Sequence, residues 1–186
     1  MTPAAPVVFV DRDGTLNVDQ VRRVDVDRLV LMPGARDAMR LWREAGWRVV
    51  VVTTQSGIER GLYTEEAMHA FHRALAAALG GGIEAFYWCP HAPETRCACR
   101  KPGHALLTRA ARERGLDLAS SFMVGDTWRD VVAGKAVGAR AVLVPHPGDD
   151  YAKECLAGCG RVVAPDHVAS DLAAAARWTL EAPRSG

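Results

Sequence analysis

A chain of 186 residues, 49% hydrophobic and 24% charged, can bury one good core but not two, so a single domain over 1–186 is expected. A net charge of +1 supplies no global field to hold nucleic acid or an anionic membrane, and no apolar run nears the ~18 residues of a membrane span. Five cysteines, an odd number with no secretory segment ahead of them, argue against a disulfide framework and for a reducing cytoplasm; a monomer is expected.

The apolar run Val7 to Val10 predicts a short buried strand. It runs out into Asp11-Arg12-Asp13-Gly14-Thr15, where two carboxylates two residues apart leave the strand on the same side. One can attack while the other moves protons, and Gly14 lets the chain turn sharply beside them. The same letters would also make a plain surface turn. The long segment from Asn17 to Pro33 follows, carrying Asp19, Arg22 and Arg23. A helix over about 34–45 and a strand over 47–53 come next, with Trp42 and Trp47 read as packing that helix on a sheet. The strand ends in Thr53-Thr54-Gln55-Ser56-Gly57, hydroxyls and backbone donors suited to a phosphate oxygen.

A helix over about 64–79 bears His69 and His72, both read as solvent-facing, and leads to a strand over 83–88. Cys89-x-His91 and Cys97-x-Cys99 then offer three thiolates and one imidazole, a closed tetrahedral shell for a structural Zn²⁺ in the loop 89–99. Small buried cysteines with a surface histidine are the bland alternative. Arg100 and Lys101 place two cations ahead of a helix over about 103–115, directly behind that metal tie. A strand over 121–124 opens into Gly125-Asp126-Thr127-Trp128-Arg129-Asp130, where Asp130 falls one helical turn past Asp126 and is read as orienting Lys101 or a metal-bound water. A helix over about 128–137, a strand over 141–144, a short strand near 161–163 and a helix over about 168–180 complete the alternation. Cys155 and Cys159 are read as free thiols. The pattern is that of a Rossmann-like three-layer α/β/α sandwich with a mostly parallel sheet. Three strand ends and one cationic loop then converge on one crevice, with acids for a hard cation and bases for an anion.

On these residues the chain resembles the haloacid dehalogenase (HAD) superfamily of phosphatases, whose four motifs stand here in order as Asp11-x-Asp13-Gly14-Thr15, Thr53, Lys101, and Gly125-Asp126 with Asp130. Within it, three stretches are similar to the D-glycero-D-manno-heptose 1,7-bisphosphate phosphatases and to the histidinol-phosphate phosphatases. They are Asp11 to Asn17, Thr53-x-Gln55-Ser56-Gly57-Ile58 with Arg60-Gly61, and Cys89-Pro90-His91 through Cys97-x-Cys99-Arg100-Lys101-Pro102.

The resemblance implies an aspartyl-phosphate mechanism: Asp11 as nucleophile, Asp13 as acid and base, Thr53 and Lys101 on the phosphoryl oxygens. It implies Mg²⁺ held by Asp11, the Asp13 carbonyl and Asp126, and Zn²⁺ on Cys89, His91, Cys97 and Cys99. Asp19, Arg22, Thr54, Gln55, Ser56, Arg100 and Thr127 are the residues read as facing the substrate. With no large cap domain, the crevice would admit a small phosphorylated sugar, heptose 1,7-bisphosphate losing its C7 phosphate. Histidinol phosphate, another small phosphometabolite, or a non-catalytic zinc-stabilised binding module are the alternatives. Thr54 stands where the heptose enzymes usually have Asn, Thr127 where they often have Lys, and Gln20-Val21-Arg22 replaces a Gly-Tyr-Val stretch; Ser56 stands where the histidinol enzymes have Asp.

Overall fold

A computed structural model of the protein describes residues 6–21 and 23–183. Strand β1 (Val7–Val10) is followed by a long connection with a 3-10 turn at Val26–Arg28, then α1 (Ala35–Glu44), β2 (Arg48–Thr54), α2 (Glu65–Ala78) and β3 (Ile83–Cys89). After a second 3-10 turn at Pro93–Thr95 come α3 (Ala105–Arg114), β4 (Phe122–Gly125), α4 (Trp128–Ala136), β5 (Arg140–Leu143), α5 (Tyr151–Cys159), β6 (His167–Val168) and α6 (Leu172–Glu181). All pairings are parallel, in the order β3-β2-β1-β4-β5-β6.

The valine runs explain the layering. In a strand alternate side chains face opposite ways, so Val8 and Val10 join Val49 and Val51 in the core under α1 and α6, with Leu75 and Leu79 at the end of α2. Val7 and Phe9 join Val50 and Val52 against α3 on the other face. Trp42 and Trp47 are both in the first core, as their flanking of a helix-to-strand turn predicted, and Trp42 Nε1 finds the Thr179 hydroxyl at 2.9 Å. Helices α2, α5 and α6 start on side-chain caps: Thr64 accepts from Ala67 N–H, Asp150 from Lys153 N–H and Asp171 from Ala174 N–H.

Two expectations change. The last short strand lies at His167–Val168 rather than near 161–163, and the segment before it forms α5, which the weak periodicity of Tyr151 to Cys159 did not signal. His72 is buried at 3% exposure rather than solvent-facing, because β3 brings Phe86 flat against its ring at a centroid distance of 4.1 Å. His69 is partly buried beside Trp88. Cys155 and Cys159 are free thiols, the first buried and the second exposed.

The chain winds outward from β1 to β3, returns, and winds the other way from β4 to β6. That order reverses between β1 and β4, and a crevice opens outside the carboxyl ends of strands at such a point. Among the described residues no separate cap domain stands over it; the connection after β1 is tied down by an Asn17 to Leu31 bridge.

Candidate active site

Asp11 N–H donates to Val124 O at 2.9 Å, which seats the end of β1 beside the end of β4. Two glycines allow the approach. Gly14 has φ +84°, and a Cβ there would overlap the Asp126 carboxylate and press on His146; a Cβ on Gly125 would overlap the Asp130 carboxylate. Motif residues far apart in sequence therefore stand side by side: Thr15 Oγ1 donates to Asp126 Oδ1 at 2.9 Å, and one oxygen each of Asp11, Asp126 and Asp130 lies within 4.8 Å of the others.

Lys101 enters this cluster from the loop before α3. Its buried ammonium sits 2.7 Å from Asp11 Oδ1 and 2.5 Å from Asp130 Oδ1, and donates to Val52 O at 3.0 Å. Burial works against the ammonium, but Asp11 and Asp130 outweigh it and hold its pKa above the ordinary lysine value. Asp130 is fully committed, since its other oxygen takes the Thr127 N–H at 3.1 Å and the Thr127 hydroxyl at 2.7 Å. This is the Lys101-orienting place that the spacing indicated.

Two buried carboxylates and the partly buried Asp126 against one ammonium leave negative charge uncompensated. Burial pushes the Asp11 carboxyl well above its ordinary value; Lys101 works against that, while Asp130 and Asp126 add to it. Burial, then Asp130, push Asp126 up to about 6 against the Thr15 hydroxyl bond. With Asp130 taken, Asp11 and Asp126 are the oxygens left for a hard divalent cation, and the donor set fits Mg²⁺. The Asp13 side chain stands outside this group. Its carboxylate faces Arg12, Asn17 and Gln55.

The cluster floors a cleft of about 300 Å³. Asp11, Asp13, Thr53 and Lys101 line it, as do Asp19, Thr54, Gln55, Ser56, Arg100 and Thr127. Arg22 lies outside the described residues; its neighbour Arg23 reaches the cleft. Gln55 lines the cleft, but its amide is occupied: Nε2 donates to Asp13 Oδ2 and to Thr53 Oγ1, both at 2.8 Å, while Oε1 accepts from Arg12 and Tyr63. Arg12, Tyr63 and Arg129 are cleft residues that sequence reasoning passed over. Arg129 could have been found, being two positions past Thr127 on the first turn of α4. Tyr63 carried no motif signal. Trp128 packs away from the cleft, against Gly158 of α5, and His104 is exposed and outside it.

The second cluster hangs from the end of β3. Cys89 Sγ lies 3.4 Å from Cys97 Sγ and 3.1 Å from Cys99 Sγ, with His91 Nδ1 3.2 Å from Cys99 Sγ. Four soft donors facing one point fit a tetrahedral Zn²⁺ with no position left open for water. The loop is tied to the phosphate-side segments: Arg100 Nη1 donates to His91 O at 3.2 Å, Gln55 N–H donates to Cys89 O at 2.7 Å, and Glu59 accepts from Ala92 N–H and Thr95.

Comparison with known proteins agrees with this geometry. The family model of haloacid dehalogenase-like hydrolases matches residues 16–135, and a second HAD-hydrolase-like model matches 98–175. The chain is 42% identical over 142 residues to the D-glycero-beta-D-manno-heptose-1,7-bisphosphate 7-phosphatase of Pseudomonas putida, covering 74% of this chain and 81% of that protein. It is 35% identical over 164 residues to the protein of that name from Yersinia pestis, covering 83% and 87%. Among solved structures it is similar to D,D-heptose 1,7-bisphosphate phosphatase of B. bronchiseptica complexed with magnesium and phosphate, at TM-score 0.82 and 35% identity over 95% of this chain and 98% of that one. With the family's motifs brought together at the switch point of its sheet, and with these relatives spanning most of its length, the chain belongs to the haloacid dehalogenase-like hydrolases and is a phosphatase of that family.

Proposed function

We propose that this phosphatase removes the C7 phosphate of D-glycero-β-D-manno-heptose 1,7-bisphosphate through an aspartyl-phosphate intermediate, acting as a single-domain cytoplasmic monomer with its zinc loop at 89–99. The observation that carries the chemistry is the placement of Lys101 Nζ 2.7 Å from Asp11 Oδ1 at the floor of the cleft. The free Asp11 oxygen attacks phosphorus, and the bond to the sugar oxygen breaks. Asp13 delivers a proton to the departing alkoxide, then takes one from the water that hydrolyses the acyl phosphate. Lys101 and Thr53 hold the equatorial oxygens as charge shifts between them. Asp11, the Asp13 carbonyl and Asp126 would hold Mg²⁺, which would screen the repulsion between nucleophile and phosphate.

Thr54, Ser56, Asp19 and Thr127 supply hydrogen bonds to the sugar. Arg100, with Arg23 and Arg129 at the cleft mouth, supplies cations for a second phosphate. The likeness to the heptose enzymes and this cationic rim support a bisphosphate. Cys89, His91, Cys97 and Cys99 would hold Zn²⁺, which would brace the loop that aims Arg100 and Lys101.

The test is a panel of heptose 1,7-bisphosphate, histidinol phosphate, p-nitrophenyl phosphate and a 3′-phosphorylated oligonucleotide, assayed with Mg²⁺. The heptose bisphosphate is expected to give the highest kcat/KM. Histidinol phosphate as the fastest substrate would overturn the sugar reading while leaving the phosphatase chemistry intact.

A further inference from the structure

Arg12 carries a guanidinium that is 1% exposed, and taking a cation out of water costs several kcal/mol unless its surroundings answer it in full. An apolar residue would fill that space at no such cost. Its contacts show what the charge is for. Nε and Nη2 form a fork on Asp13, 3.1 Å to Oδ1 and 2.7 Å to Oδ2; Nη2 also donates to Gln55 Oε1 at 2.8 Å. The far nitrogen, Nη1, points away from the cleft to His72 Nε2 at 3.1 Å, and the Phe71 ring lies under the guanidinium carbon at 4.9 Å.

An arginine has no acceptor, so the His72 contact holds only if Nε2 is unprotonated and the ring proton sits on Nδ1. Burial, Arg12 and then His69 push His72 down to about 3, which keeps the ring neutral at any working pH. Among the described residues Nδ1 is itself buried without a partner. The fold therefore leaves one ring nitrogen unsatisfied in order to fix the other against Arg12. Gln55 closes the network, bridging Asp13 Oδ2 to Thr53 Oγ1, and Asn17 Nδ2 adds a bond to Asp13 Oδ1 at 3.1 Å.

We propose that Arg12 is a positioning residue for the proton-transfer carboxylate Asp13, and that His72 is the acceptor that anchors Arg12. This rests on the reading above that Asp13 exchanges the leaving-group proton. A planar fork fixes both the place and the plane of a carboxylate, which a lysine ammonium cannot do. The Arg12 main-chain N–H donates to Asp11 Oδ1 at 2.7 Å, but its guanidinium is spent on Asp13, Gln55 and His72, and it acts on the reaction through Asp13.

The leaving group separates this role from a general structural one. Departure of a sugar alkoxide needs a proton; departure of p-nitrophenolate does not. In Arg12→Ala, kcat/KM, which covers the steps up to leaving-group departure, should fall on the order of 100-fold for heptose 1,7-bisphosphate, the lower range for a lost general acid, and less than about fivefold for p-nitrophenyl phosphate. Guanidinium at sub-denaturing concentration should restore turnover of the sugar ester. His72→Leu should show the same selectivity at roughly a tenfold loss, and His72→Gln, whose amide oxygen can accept, should recover most of it. His72→Leu carries the test if Arg12→Ala fails to fold.

Equal losses on the two esters in both variants, or selective loss without rescue by guanidinium and by His72→Gln, would overturn the proposal. Asp13→Asn, assayed alongside, separates the premises. If it retains sugar-ester turnover, the acid–base reading fails and this inference with it. If it is inactive on the sugar ester while Arg12→Ala slows both esters alike, only the role of Arg12 falls.

Discussion

Thr15 and Asp126 are 111 positions apart and meet only because β1 and β4 are neighbours at the point where the sheet reverses its winding. Cys89 and Cys99 are ten positions apart and meet within one loop. The first cluster is buried, made of hard oxygens and braced by an ammonium; the second is partly exposed and made of soft donors that need nothing beyond their own segment. Chemistry is therefore assigned to the cluster that the whole fold must assemble. Bracing is assigned to the one a loop assembles alone. Variants in the oxygen cluster should stop catalysis without unfolding the protein, and variants in the sulfur cluster should do the reverse, reaching catalysis only through stability and loop position.

The largest effect is expected for Asp11→Asn, an almost isosteric change that cannot form an acyl phosphate. Turnover should fall at least on the order of 1,000-fold with the melting temperature within a few degrees of the parent. Residual steady-state activity at a tenth of the parent rate would break the assignment of the nucleophile. Removal of Mg²⁺ by gel filtration into magnesium-free buffer should stop the parent, its re-addition should restore turnover, and zinc content, as read by metal analysis, should stay unchanged.

Cys97→Ser tests the other side. The parent should carry about one Zn²⁺ per chain. The variant should lose it together with about 3 kcal/mol or more of stability, a fall of roughly 6–12 °C in Tm for a chain of this size. An unchanged Tm in a zinc-free variant would show that the loop braces itself.

Arg100→Ala sharpens the boundary between the clusters, because Arg100 hangs from the sulfur loop through His91 O and yet lines the cleft. It should cost the bisphosphate about 2 kcal/mol in kcat/KM and cost p-nitrophenyl phosphate much less. The same loss on both would move Arg100 into the chemical step.

An effect of similar size is a pH dependence of stability. His72, ringed by Arg12, His69, Phe86 and Trp88, has its folded pKa lowered to about 3 from 6.5, so below 6.5 the unfolded chain binds a proton that the folded chain refuses. Stability from the neutral ring is whole above pH 6.5 and is lost as the pH falls toward 3, by roughly 2–3 kcal/mol at pH 4.5. Urea midpoints at pH 7.5 and 4.5 should accordingly lie closer together in His72→Gln than in the parent. An equal separation would show that His72 is protonated in the folded state.

Strand endings punctuated by Asp-x-Asp-Gly, Thr-Thr-Gln-Ser-Gly and Gly-Asp were legible in the chain because buried parallel strands are continuous apolar runs and the residues that leave them face one crevice. The zinc-type ligands were legible because their spacing is local. The α5 helix escaped because its residues carry little periodic apolar signal, and the last strand because a two-residue pairing leaves almost none.

What the sequence by itself determined was the class of fold, the set of reacting groups and the sulfur cluster, each a matter of local pattern or residue chemistry. Only the tertiary structure decided who serves whom. Nothing in the spacing could show that Gln55 joins Asp13 to Thr53 rather than being free for a ligand, or that His72 is buried behind Arg12. The Arg12–His72 and Asp13–Gln55 pairings join side chains 60 and 42 positions apart, and such distances in the chain are closed only by packing helices onto a sheet.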